Sequence, residues 1–121
     1  MTMKHTCWDR EQSLKRMKGD EKLLFRIISI FRKQFPYSLE LLKVAIEKHD
    51  FASARFIAHT LTGQIGNFDD VSALNALRAL DLCALQNNSN GMEIAFNKLK
   101  EELSALDSAL NLESDGSRSI R

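Results

Sequence analysis

The sequence predicts an all-α fold in the form of an up-down helical bundle. Only one Pro and five Gly occur in 121 residues, and the abundance of Leu, Ala, Lys and Glu favours helices. Apolar residues recur with the i, i+3, i+4 spacing of amphipathic helices, and the segments between these stretches are short. Short connections make consecutive long helices antiparallel neighbours, and the chain length fits one domain.

The N-terminal half predicts a short helix followed by a long one. Asp9 is a suitable N-cap for the first helix, and Trp8 can cover the end of the core. Gly19 and Asp20 end this helix and cap the next. Pro36 lacks an amide donor, so we expect a kink or a helix boundary there. The apolar positions of this stretch are Leu24, Ile27, Ile28, Phe31, Phe35, Leu39, Leu42 and Ile46.

The C-terminal half predicts three further helices. Asp50 is expected to cap the third helix, and residues 67–70 form the turn before the fourth. Residues 87–91 have the composition of a loop. The last helix has the clearest apolar spacing in the chain, at Met92, Phe96, Leu99, Leu103, Leu106 and Leu110. We expect a domain over residues 8–112, with flexible tails at 1–7 and 113–121.

Composition argues against several classes of protein. A formal net charge of +1 provides no whole-molecule field for nucleic acid or an anionic membrane. No apolar run approaches the ~20 residues that span a bilayer, and the N-terminus lacks a signal-peptide core, so we expect a cytoplasmic protein. Cys7 and Cys83 indicate neither a disulfide framework nor a metal site, and Cys83 is expected to be a small core residue.

The most informative stretch of the chain surrounds His59. On a helix at about 100° per residue, His59 points away from an apolar stripe made of Ala54, Ile57, Ala58, Leu61, Ile65 and Phe68. Its neighbours on the outer face are mostly small: Ala52, Arg55, Phe56, Thr62, Gly63 and Gly66. A titratable ring among small side chains is hard to explain by packing. It is easily explained if another protein must bring a reactive group to that ring.

The spacing of His59, Leu61, Gly63 and Phe68 resembles the signature of histidine phosphotransfer (HPt) domains, H-x-L-K-G-x-x-x-x-[LF]-G. The resemblance extends over residues 8–110. It implies an antiparallel four-helix bundle with short accessory helices at the N-terminal end. It also implies that His59 exchanges a phosphoryl group with the Asp of receiver domains in a bacterial two-component phosphorelay. The receiver would supply the metal and the catalytic Lys, so the carrier needs no cofactor, has no kinase activity and is expected to be a monomer.

Two positions depart from this signature. Thr62 occupies the Lys position and can donate a hydrogen bond, but it brings no positive charge. Arg55, one turn earlier, either replaces that charge or is an ordinary solvated side chain. Asp69 occupies the final Gly position, where we expect it to change the turn and to cap the next helix.

Three further residues are candidates for contact with the partner. Each Gly inside a helix costs roughly 1 kcal/mol relative to Ala. Gly63 lies four residues after His59, where a Cβ would stand close to the ring, so we expect Gly63 to provide clearance. Gly66 either provides similar clearance or simply ends the helix. Phe56 is either an exposed docking residue or a residue buried at the edge of the core.

The sequence thus predicts a phosphoryl carrier with His59 as the phosphoacceptor. An imidazole is largely neutral at cytoplasmic pH, which leaves a ring nitrogen free to attack phosphorus. The main alternative is a non-catalytic HPt-fold module that docks or sequesters a receiver domain, which Thr62 favours and the intact His59 disfavours. A helical adaptor unrelated to phosphorelays is a third possibility. His5 and His49 lie outside any motif and are assigned no role.

Overall fold

The computed structural model describes residues 8–116, and within that range the protein is all-helical with no β-strand. Its elements are α1 (Arg10–Arg16), α2 (Glu21–Glu47), α3 (Phe51–Ile65), a 3₁₀ turn (Gly66–Phe68), α4 (Val71–Leu85) and α5 (Ser89–Gly116). Of the residues expected to form tails, 1–7 and 117–121 lie outside the described residues. Residues 113–116 continue α5. None of the described helices is both long and apolar enough to cross a membrane.

Aspartate side chains cap the first four helices. Asp9, Asp20 and Asp50 each accept hydrogen bonds from backbone amides in the first turn of α1, α2 and α3, as the sequence predicts. The cap of α4 is Asp70, so the prediction that Asp69 serves as this cap is wrong. Asp69 instead has a φ of 53°, in the left-handed region that Gly favours.

The predicted boundary at Pro36 is also wrong, because α2 runs through this residue without a break. Pro36 is exposed, so the backbone carbonyl that lacks its usual amide donor can bond to water. Phe31 and Phe35 before the proline and Leu42 after it are buried in the core. The packing of both halves against one core maintains the helix despite the missing hydrogen bond.

The four long helices enclose the core. Helix α2 packs against α3 and α5, α3 packs against α4, and α4 packs against α5. All six apolar positions predicted for the last helix are buried. Cys83 is a half-buried free cysteine that packs against the core, in agreement with its predicted role. Helix α5 begins at Ser89, inside the stretch predicted to be a loop.

Helix α1 fixes the turn that follows α3. The buried hydroxyl of Ser13 donates to the backbone oxygen of Asn67 at 2.8 Å. Trp8 packs edge-on against the fully buried ring of Phe68, with ring centroids 5.8 Å apart. Arg16 forms an ion pair with Asp69 at 2.6 Å. These contacts set the direction in which the chain leaves α3.

Candidate functional site around His59

His59 lies on the outer side of α3. The buried residues of this helix are Ala54, Ala58, Leu61 and Ile65, which face the core. Since these residues recur at positions three and four apart, the intervening position 59 is directed away from them. His59 is exposed, which confirms the orientation predicted from the sequence.

The imidazole lines a shallow depression of about 170 Å³ between α3 and α4. Two ionisable side chains of α4, Arg78 and Asp81, line the same depression. Sequence analysis missed both. Arg78 donates a hydrogen bond from Nη1 to the side-chain oxygen of Asn75 at 3.0 Å. The site thus combines a nucleophilic ring with a guanidinium that has a neutral partner.

Arg55 is not an isolated solvated side chain, because it is paired with an acidic residue of α4. Its Nε donates to Oδ1 of Asp81 at 2.9 Å, which forms an ion pair between α3 and α4. The two side chains remain 45% and 41% exposed, so the pair contributes little to stability. The position of this ion pair matters, because Asp81 also lines the depression that contains His59.

The hydroxyl of Thr62 is engaged within its own helix. Its Oγ1 donates to the backbone oxygen of Ala58 at 2.9 Å, a common arrangement for Thr inside helices. A hydroxyl has one proton to donate. In this conformation Thr62 therefore does not offer the donor expected from the sequence, although it does line the depression beside His59.

The two glycines of α3 leave open space. A Cβ built at Gly63 or at Gly66 meets no atom within 4 Å. The expectation that a Cβ at position 63 would stand close to the His59 ring is therefore wrong, because the space around this position is open. Helix α3 ends before Gly66, which is its C-cap and the first residue of the 3₁₀ turn. Its φ and ψ of −55° and −28° are right-handed, so the backbone does not require glycine here.

Phe56 is 73% exposed, which rules out burial at the edge of the core. A second apolar surface that sequence analysis missed lies on α2, where exposed side chains recur along one side. These are Ile30, Tyr37, Leu41 and Val44. Their spacing of seven, four and three residues is a signal that was present in the sequence.

A side-chain hydrogen bond sets the register between α2 and α3. Nε2 of Gln64 donates to Oε1 of Gln34 at 3.2 Å, and only three residues connect the two helices. The helices therefore run in opposite directions. Counting from this bond along each helix brings Leu41 of α2 to the level of Ile57, next to Phe56, and Tyr37 to the level of Leu61, two residues beyond His59.

No group of three or more His, Cys, Asp or Glu side chains within residues 8–116 is arranged to hold a metal ion. The candidate site consists of His59, the α4 residues Arg78 and Asp81 that line the same depression, and exposed apolar residues of α2 and α3. Comparisons of the chain with protein-family models, with curated proteins and with solved structures find no match.

Proposed function

We propose that this chain is a histidine phosphotransfer protein in which His59 carries a phosphoryl group between receiver domains. The observation that carries the proposal is the exposed imidazole of His59 in a depression that also contains the Arg78 guanidinium. The contacts among α2, α3, α4 and α5 support the antiparallel four-helix bundle of that class, with α1 as an accessory helix.

The reaction is a direct exchange between two residues. An unprotonated ring nitrogen of His59 attacks the phosphorus of an aspartyl phosphate. A nitrogen–phosphorus bond forms while the bond from phosphorus to the aspartyl oxygen breaks, and the carboxylate leaves with the electron pair. Such transfers have a loose transition state and depend on positioning and on charge neutralisation. Among the residues that line the depression, Arg78 is the one that can neutralise that charge.

The receiver would approach over Gly63 and the apolar residues beside it. Phe56, Tyr37 and Leu41 are exposed, and the register of the two helices places Leu41 of α2 near the level of Phe56 on α3. Aromatic and aliphatic side chains of this kind supply much of the binding free energy in protein interfaces. Gly63, one turn beyond His59 on the exposed side of α3, adds no side chain that would obstruct this approach.

The remaining parts of the proposal follow from the class. The protein acts as a monomer in the cytoplasm, binds receiver domains of response regulators or hybrid kinases, and has no kinase activity of its own. The receiver supplies the Mg²⁺ and the catalytic Lys. We therefore expect ATP and Mg²⁺ alone to leave the purified protein unlabelled.

The second candidate function is a non-catalytic module that docks or sequesters a receiver. The engagement of the Thr62 hydroxyl with Ala58 and of Arg55 with Asp81 favours it, because both reduce the help available to an incoming phosphoryl group. In this case receivers bind, but no label is transferred.

A panel of phosphorylated receiver domains distinguishes these functions. Wild-type protein should acquire label that is labile in acid and stable in alkali, and His59→Gln should acquire none. His49→Gln is the matched control, because His49 is also exposed but lies at the connection between α2 and α3. Binding without labelling would support the docking module, and label on His59→Gln would refute the assignment of the phosphoacceptor.

A further inference from the structure

The presence of Asp81 in the His59 depression opposes the chemistry proposed for that site. Asp81 lines the same depression as His59, and its carboxylate accepts a hydrogen bond from Arg55 at 2.9 Å. A site that only had to attract a phosphoryl group would gain from a neutral side chain at this position. The acidic residue therefore calls for an explanation.

Phosphorylation of His59 would change the balance of charge around Asp81. A phosphoryl group brings about −1.5 to −2 charges near pH 7, and like charges in one depression repel. The phosphoryl oxygens and the Asp81 carboxylate would also compete for the guanidinium of Arg55. Arg78 differs in this respect, because its partner is the neutral side chain of Asn75.

We infer that Asp81 keeps the phosphorylated form of His59 high in free energy, so that the phosphoryl group passes readily to the next receiver. Asp81 does so by holding Arg55 and by placing a negative charge beside the group. It is a positioning residue and takes no part in bond making. The inference rests on the proposed phosphotransfer function, and it concerns the free energy of phosphorylated His59 relative to the unphosphorylated form.

Asp81→Asn tests the inference, with Asp107→Asn as the matched control. Asp107 forms an ion pair with Arg32 between α2 and α5, at 2.7 Å. Both substitutions remove one negative charge and one Arg–Asp pair between helices, but only the first alters the lining of the His59 depression. Two readouts are measured: the equilibrium of phosphoryl exchange with a receiver, and the half-life of the isolated phosphohistidine.

Phosphoramidate provides a label without a protein partner. A ring nitrogen of His59 attacks its phosphorus while the original nitrogen–phosphorus bond breaks. The nitrogen of phosphoramidate, protonated as an ammonium group, leaves with the electron pair of that bond as ammonia. Because no docking is required, the half-life of the product depends on the residues around His59 alone.

Asp81→Asn should shift the exchange equilibrium about two- to five-fold toward phosphohistidine and lengthen its half-life by a similar factor, with smaller effects at high salt. Asp107→Asn should behave as wild type. Arg55→Gln should shift both quantities the opposite way, and the Arg55→Gln/Asp81→Asn double variant should lie close to wild type.

Equal values for Asp81→Asn and wild type, or equal shifts in Asp81→Asn and Asp107→Asn, would overturn the inference while leaving the proposed function intact. Absence of receiver-dependent labelling in the wild type would refute the proposed function instead, and the half-lives of phosphoramidate-labelled proteins would still decide the role of Asp81. Absence of labelling by either donor would refute both.

Discussion

Replacement of Gly63 by glutamate is expected to preserve the fold and to abolish the proposed phosphotransfer. Gly63 is exposed in the interior of α3, and a Cβ there meets no atom within 4 Å. Glycine costs about 1 kcal/mol relative to alanine inside a helix, and glutamate is close to alanine in propensity. Gly63→Glu should therefore raise the free energy of unfolding by about 0.5 to 1 kcal/mol.

The loss of transfer can be estimated from helix geometry. Side chains four residues apart on a helix have Cβ atoms about 5–6 Å apart, so the new carboxylate can approach the phosphoryl group on His59 closely. Two like unit charges about 6 Å apart repel by about 0.7 to 3 kcal/mol as the effective dielectric constant falls from about 80 to about 20. This repulsion alone corresponds to a loss of about 3- to 100-fold, to which a clash with the partner adds.

The assay compares three substitutions at position 63 by thermal denaturation and by the rate of labelling from a phosphorylated receiver. Gly63→Ala should be stabilised and retain transfer, because the added methyl group is small. Gly63→Gln matches glutamate in size without its charge, so the difference between these two variants measures the repulsion. Unimpaired transfer by Gly63→Glu would show that the receiver does not approach over this face.

Three further results are expected. Thr62→Lys should raise the transfer rate about one- to five-fold in stopped-flow assays at low salt, and the gain should shrink at high salt, since an exposed charge contributes little. Gly91→Ala should lower the free energy of unfolding by up to about 2 kcal/mol in urea titrations, because its Cβ would stand 2.6 Å from the sulfur of Cys83 and this strain outweighs the gain of about 1 kcal/mol in helix propensity. The hydrogen bonds that Asp50 accepts from the Ser53 side chain and backbone lower the pKa of its carboxyl. The stabilisation from this ionised carboxylate is complete above the unfolded pKa of about 4 and is lost as pH falls through the lower folded value. Asp50→Asn should keep the cap and lose that pH dependence.

Local sequence signals predict much of this fold. The caps at Asp9, Asp20 and Asp50 depend on a side chain and the amides of the next turn, so a few adjacent residues are enough to identify them. The continuity of α2 through Pro36 could not be predicted in this way. It depends on burial of the flanking residues against other helices, and such tertiary packing outweighs the local preference.

The candidate site likewise contains one residue that local sequence predicts and others that depend on packing between helices. The exposure of His59 follows from the spacing within one helix, whereas Arg78 and Asp81 come from the neighbouring helix. Their proximity depends on the register of α3 and α4, which no local pattern specifies. The engagement of Thr62 with a backbone oxygen is likewise a choice of rotamer, which the sequence leaves open.

The contacts between α1 and the turn after α3 determine where the chain can be truncated or fused to another protein. Deletion of residues 1–20 would remove Trp8 and expose the ring of Phe68. It would also remove Ser13, whose hydroxyl donates to the backbone oxygen of Asn67. It would also leave Asp69 in a left-handed conformation without its ion pair. Fusion proteins and biosensors built on this chain should therefore retain α1 intact and place the junction ahead of Trp8.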